Sequence, residues 1–373
     1  MRAKELAGVS FMLCASTAMA QSSVTLYGVI DNNVEYVNKL HTTAGDGSRL
    51  ALQSGWLSGS RWGLRGTEDL GNGLSALFVL ESGFNGDDGK SGQGGRLFGR
   101  QAYVGLKSAT AGQLTFGRQY TTLFTLLGNF EPLFYSLYSP LTVLEGLNYR
   151  SDNTAVYTGT FGGLTAQAHW TFGNNAASVN PGPGGDGEIP GQFRRGTGYG
   201  GGLAYISGPF GATIIYDQYN PSVALGGGAF SSGSVRKAAA AGSYTIGPAK
   251  LMAGYRWGQN KNVDDSVALR DDYYWIGGNY QATSALNFTL EYAYQKIKTI
   301  NSAESRQPNP WQVAFVADYN FSKRTDIYLT TAYARHAALM LDQAGVNANA
   351  DGYTLATGKN SMFGAALGIR HKF

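Results

Sequence analysis

The chain of 373 residues carries a net charge of only +4, with 14% charged residues against 53 glycines, 23 tyrosines and 18 phenylalanines. A charge this small, with no dense Lys/Arg stripe, gives no case for a nucleic-acid partner. No run of about 18 apolar residues occurs, which excludes membrane-spanning helices; if a bilayer is involved, only a closed barrel satisfies every backbone amide in hydrocarbon.

In chain order, residues 1–20 come first: Arg2 and Lys4, a mainly apolar run, then Ala18-Met19-Ala20 as a small-x-small cleavage site. This reads as a secretory signal peptide removed before Gln21, leaving 21–373 as one domain. The single cysteine, Cys14, lies inside the leader, so the mature chain has no disulfide and no thiol. VTLYGVID then sets Val24, Leu26 and Ile30 on one face of a strand and Thr25, Tyr27 and Asp31 on the other, because side chains alternate across a strand. The pattern returns at 284–298, where Leu286, Phe288, Leu290, Tyr292 and Tyr294 oppose Asn287, Thr289, Glu291, Ala293 and Gln295. WQVAFVADYNF repeats it with Trp311, Val313, Phe315, Ala317, Tyr319 and Phe321 together. The chain closes on Phe363, Ala365, Leu367, Ile369, His371 and Phe373 opposite Gly364, Gly368, Arg370 and Lys372. A soluble sandwich would turn the apolar faces inward, whereas a membrane barrel turns them to lipid and lines its lumen with the polar ones.

The connections favour the barrel. Tight turns at 68–73, 108–112, 159–163, 207–211, 245–250, 281–286 and 320–325 alternate with long Gly-, Asn-, Pro- or Asp-rich stretches such as 174–196 and 220–235. Counting one long loop between each pair of turns gives about eight hairpins, hence about 16 antiparallel strands, an even number as bacterial single-chain barrels require. The fold class is therefore all-β, a transmembrane barrel with short periplasmic turns and long extracellular loops. Small residues on the polar faces suit a water-filled interior. Terminal Phe373 lets the last strand pair with the first and close the edge.

Several stretches carry a further likeness: SSVTLYGVID (22–31), SRWGLRGTEDLGNGLSALFVLE (60–81), RQAYVGL (100–106), LTFGRQY (114–120), YRSDNTAVY (149–157) and the closing GIRHKF. Together they resemble the trimeric general porins of Gram-negative outer membranes, especially the betaproteobacterial branch. That resemblance implies a 16-stranded barrel in the outer membrane, a homotrimer, passage of small hydrophilic solutes and anions, and contact with outer-membrane lipid, lipopolysaccharide and the barrel assembly machinery, with Phe373 as C-terminal assembly signal. It also implies that the third long loop, 121–148, folds into the lumen. Here that loop has only Glu131 and Glu145 as carboxylates and much aromatic surface, which is expected to pack against the wall more than to form a substrate track.

Parity points to the charges at the pore. If Trp62 and Leu64 face lipid, Arg61 and Arg65 face inward; if Tyr103 faces out, Arg100 faces in; and the resemblance places Arg150 on the wall opposite the inserted loop. Guanidinium groups stay charged at any working pH, so this is a permanent positive lining. One charge at roughly 7 Å from an anion is worth about 0.6 kcal/mol in water, so three or four give about 2 kcal/mol before screening. The expectation is a moderate, salt-dependent anion preference. Arg118 is set apart as a candidate subunit contact, Arg194 and Arg195 as exposed loop charges, and the Tyr and Trp residues as interfacial girdles.

Chemistry finds little support. His41 and His336 fall in long loops, His371 on the lipid face, and His169 on the lumen face beside Thr165, Gln167 and Thr171 with no carboxylate in its own strand. No Gly-x-Ser-x-Gly elbow, metal-ligand set or phosphate loop accompanies them, so no enzyme, cofactor or metal is expected. The competing reading is a barrel whose long loops mainly serve adhesion or receptor binding.

Overall fold

The computed structural model describes residues 23–373, apart from 56, 137, 141–148, 174–190, 192, 227–228 and 344–351. The leader, residues 1–20, and Glu145 therefore lie outside the described residues. Sixteen antiparallel wall strands form a closed barrel: β1 (Ser23–Thr42), β2 in two segments (Gly45–Ser54 and Arg61–Gly71), β3 (Leu74–Gly83), β4 (Gln101–Ser108), β5 (Gly112–Tyr120), β6 (Arg150–Phe161), β7 (Leu164–Thr171) and β8 (Gly198–Ser207). The second half comprises β9 (Phe210–Tyr219), β10 (Ser234–Ile246), β11 (Ala249–Lys261), β12 (Val267–Gln281), β13 (Leu286–Ile300), β14 (Trp311–Asn320), β15 (Thr325–Arg335) and β16 (Ser361–Lys372).

All seven turns expected at one rim join consecutive strands there, as at Asn72-Gly73 and Gly247-Pro248. The opposite rim carries the long loops, with two departures. The first connection is a tall hairpin, since β1 runs on through His41 to Thr42 and pairs with β2 as far as Thr42↔Gly45. The sixth spans only residues 262–266. The edge closes between β1 and β16, from Val29↔Lys372 to Val37↔Gly364, and Phe373 exchanges two backbone hydrogen bonds of 3.0 Å with Gly28.

Alternation decides which side is wet. In β13 Leu290 is 55% exposed while Glu291 is 1% exposed, and Val24, Leu26, Val104, Leu106, Ile214, Ile276, Leu367 and Ile369 are exposed on the same outer side. Those residues meet lipid. Aromatic rings gather on that outer side at two levels: Tyr199, Tyr216, Tyr255, Tyr274, Tyr292 and Trp311 toward the long loops, and Phe161, Tyr205, Phe210, Tyr244, Tyr280, Tyr319 and Phe321 near the turns. Such belts sit at the two membrane interfaces. Trp275 is an exception, pointing inward and buried.

Inside, the third long loop begins as a short helix, α1 (Thr122–Leu127), and continues through a turn at Gly128–Phe130. Its apolar side, Leu123, Leu126, Leu127 and Phe130, packs on Ala204, Ile215, Ala239, Tyr273, Trp275 and Ala293 of β8 to β13. Leu133 and Tyr138 pack on Val37, Ala314, Val316, Ala332, Ala334, Met362 and Ala366 of β1 and β14 to β16. Much of the wall's inner face is thus a dry seat for the loop rather than a surface for water. Residues 336–343 and 352–360 also enter, with Leu339 and Tyr353 buried in the second cluster.

Candidate functional site

Three arginines reach the same cavity from three places in the chain. Between the two segments of β2, Asp31 of β1 fills the gap: its carbonyl accepts the Gly55 amide at 2.7 Å and its carboxylate accepts the Ser58 amide at 2.6 Å and the Tyr328 hydroxyl. The break turns Gly55 and residues 57–59 into the lumen and starts the lower segment at Arg61. Glu81 on β3, 4% exposed, lies between two guanidinium groups, with Arg61 Nε at 3.4 Å and Arg100 Nε at 2.8 Å. Arg100 Nη2 and Arg150 Nη2 both donate to the Tyr120 hydroxyl, at 3.0 and 3.1 Å. Arg150, 7% exposed, is held between two rings, its guanidinium carbon 4.7 Å from the centres of Tyr120 and of Tyr149.

Arg61, Arg100 and Arg150 line a cavity of about 1020 Å³ together with Arg49, Tyr120, Phe124, Phe134, Tyr135 and Tyr149. Among the described residues, Asp87 is the one carboxylate on that lining. Glu81 and Glu35 stand behind it, pairing Arg61, Arg100 and Arg49. Arg150 has no carboxylate within ion-pair distance among the described residues, so its charge is the least compensated.

The other site residues fall differently. Arg65 lies on the inner side, but it is exposed, stacked 5.3 Å over Tyr27, and absent from the cavity lining. Tyr103 points inward, because Val104 and Leu106 are the lipid-facing residues of β4. The parity premise for Arg100 is thereby overturned. Arg100 still reaches the lumen because it precedes the strand, which starts at Gln101, and so is not bound by the strand's alternation. Arg118 pairs with Asp152 at 2.8 Å and donates to the Gly99 carbonyl. Arg195 is no exposed loop charge: it is buried and its Nε donates to Ser222 Oγ.

Glu131 lies under the loop, away from the water path. It is 1% exposed and accepts the Tyr135 amide at 3.1 Å and the Ser139 hydroxyl at 2.9 Å, with Glu291 of β13 facing it. Burial raises its carboxyl above the ordinary value, and the hydrogen bonds only partly oppose that shift. The loop is tied to the wall by Trp275 Nε1, which donates to the Phe130 carbonyl at 2.8 Å, and by Asn279 Nδ2 and Gln312 Nε2, which donate to the carbonyls of Pro132 and Tyr138. Wall glycines make room for it; a Cβ at Gly211 would come within 3.0 Å of the Phe130 ring.

His169 serves the same docking. Its Nδ1 accepts the Thr122 amide at 3.2 Å, which puts the proton on Nε2, 3.6 Å from Asp217 of β9. The carboxylate that β7 lacks comes from two strands away, across Gly200, where a Cβ would meet both side chains. Thr122, His169 and Asp217 are buried, so the trio pins the start of α1 and offers no substrate access.

Sequence reasoning missed Arg49, Glu81, the rings of Tyr120 and Tyr149, and the second inserting segment. Arg49 was within reach of parity, since Leu50 and Leu52 face lipid. The expectation that the loop aromatics pack on the wall holds for Phe130 and Tyr138, both buried, and fails for Phe134, which is 68% exposed. Phe134, Tyr135 and Tyr138 have φ of +50°, +58° and +67°. Non-glycine residues in that region carry about 1–3 kcal/mol of strain each, which tends to collect at functional sites.

Comparison with known proteins accords with this architecture. A family model described as Gram-negative porin matches residues 7–339. Outer membrane porin protein 32 of Delftia acidovorans is 31% identical over 388 residues, covering 99% of each chain. An outer membrane porin protein of Bordetella pertussis is also 31% identical, covering 96% of each. The solved structure of an anion-selective porin from Comamonas acidovorans superposes with a TM-score of 0.75 at 29% identity, over 95% of this chain and 100% of that one.

Proposed function

The chain belongs to the Gram-negative porin family, and from that premise we propose that it is an outer-membrane diffusion channel whose narrowest part favours small anions over cations. The observation that carries this reading is the convergence of Arg61, Arg100 and Arg150 on a cavity with Asp87 as its one described carboxylate. Arg49 adds to that lining; Arg65 contributes a weaker field nearer the turn rim. Since Glu35, Glu81 and Asp87 offset most of the lining charge, the preference is moderate. Its test is the reversal potential of the purified protein in planar bilayers under a KCl gradient. Chloride preference that weakens with salt is expected, and cation preference would refute the charge reading. Liposome swelling with sugars of increasing size tests the channel itself: a barrel built mainly for adhesion and plugged by its loops would pass none.

The same reading extends to the chain's biogenesis and company. Residues 1–20 act as a leader, so sequencing of the mature protein should begin at Gln21. Phe373 acts as the assembly signal read by the barrel assembly machinery, and lipopolysaccharide and outer-membrane lipid cover the outer face. A homotrimer is proposed from the family alone; cross-linking that yields only monomers would remove it. No catalysis is assigned, in keeping with the burial of the His169 trio.

A further inference from the structure

An exposed phenylalanine in a water channel is not explained by packing. Phe134 is 68% exposed on the cavity lining, and two consecutive residues with positive φ hold its ring and that of Tyr135 there. From Phe134 the rings continue as a stack: Tyr135 at 6.2 Å, Phe124 at 4.3 Å from Tyr135, and Tyr120 at 4.3 Å from Phe124 with planes only 7° apart. The stack ends on Arg150, the guanidinium without a described carboxylate partner, which lines the same cavity as Phe134. Exposed π-faces and guanidinium groups therefore line one cavity.

We propose that this cavity is a binding site for small planar aromatic carboxylates. The ring of such an anion would lie against Phe134 and Tyr135, and its carboxylate would meet the Arg150, Arg100 and Arg61 forks, which match carboxylate geometry. Aliphatic acids of equal charge lack the stacking face. Aromatic cations meet the wrong sign, because Arg150 already occupies the faces of Tyr120 and Tyr149. The proposal rests on the reading of the chain as an anion-favouring channel and names a class of solute for it.

The test uses the full mature protein in planar bilayers at about 0.1 M KCl, where the Debye length is about 10 Å. The reversal potential in KCl alone is read first; cation preference there would remove the underlying channel reading. Benzoate, cyclohexanecarboxylate and benzylammonium are then compared as blockers of the ion current. Benzoate should block at a concentration about fivefold lower than cyclohexanecarboxylate, the factor that one aromatic pair supplies, and benzylammonium should block weakly. Phe134→Ala and the bulk-preserving Phe134→Leu should both shrink that gap below about twofold while chloride stays favoured over potassium in KCl alone. Equal block by the two carboxylates, equal block by benzylammonium, or a gap that survives both substitutions would overturn the site while leaving the channel intact.

Discussion

Replacing Arg150 by glutamine removes the least compensated charge of the constriction while keeping a polar side chain of similar reach. A sphere of the cavity's volume, about 1020 Å³, has a radius of roughly 6 Å, which sets the distance from a wall charge to an ion at its centre. At that distance one unit charge is worth about 0.7 kcal/mol in water. With a Debye length of about 10 Å at 0.1 M salt, screening leaves about 0.4 kcal/mol. The anion loses this much and the cation gains it, so the chloride-to-potassium permeability ratio should fall about three- to fourfold in Arg150→Gln at 0.1 M KCl. At 1 M, where the Debye length is about 3 Å, the fall should shrink below about 1.5-fold. Reversal potentials at the two salt concentrations measure both numbers. Glu81→Gln should move the ratio the opposite way, because it frees Arg61 and Arg100 from their shared partner. An unchanged ratio at low salt would show that Arg150 does not act on the ion path. A fall that persists at 1 M would show that the substitution altered the pore's shape instead.

Three other outcomes follow from the loop and the seam. Because the Glu131 carboxyl is raised above its ordinary 4.5 when the loop is docked, the docked state holds a proton that the undocked state gives up. Docking is therefore strongest below the ordinary carboxyl range and weakens as pH rises toward the raised value; excursions to a larger conductance in single-channel records should become more frequent over that window, and Glu131→Gln should weaken the trend, leaving the part contributed by the facing Glu291. A Cβ at Gly364 would come within 2.5 Å of the Tyr138 hydroxyl and 2.6 Å of Leu339, so Gly364→Ala should cost about 1–3 kcal/mol, read as a lower Tm in detergent, with Tyr138→Phe recovering part of it. Deleting Phe373 removes the two backbone hydrogen bonds to Gly28 and the ring that lies over that glycine, and should lower the fraction of heat-modifiable, folded barrel on gels; an unchanged fraction would contradict its role in closing the seam.

The wall was legible because lipid imposes one uninterrupted rule on it: every second residue, as in Leu286 to Tyr294, must be apolar, and a turn must follow. The seven tight turns were found for the same reason, being short stretches of Gly, Asn, Pro and Ser between alternating runs. The interior obeys no such rule. Ala239, Ala293 and Ala332 look in sequence like small residues beside water, yet they seat a loop that is remote along the chain. Tyr103 misled parity because an aromatic residue in a short strand suits either side, and only the pairing of Val104 with Phe116 decides it. The buried pairings of Glu81 with Arg61 and Arg100, and of His169 with Asp217, join residues 19 or more positions apart, a distance that strand alternation does not bridge. Arg61 and Arg150 were found by likeness and parity; that they share a cavity with Phe134 was not visible until the loop's path was known.

The seat of the inserted loop has a consequence for biogenesis. Although the loop is translated after only five strands, Tyr138 rests against Val37 at one end of the chain and against Ala334 and Met362 at the other, so its berth does not exist until the last hairpin has joined the first strand. The two halves of the loop therefore differ in what they wait for: α1 needs only β8 to β13, whereas the stretch around Tyr138 reaches its full set of neighbours only in the closed barrel.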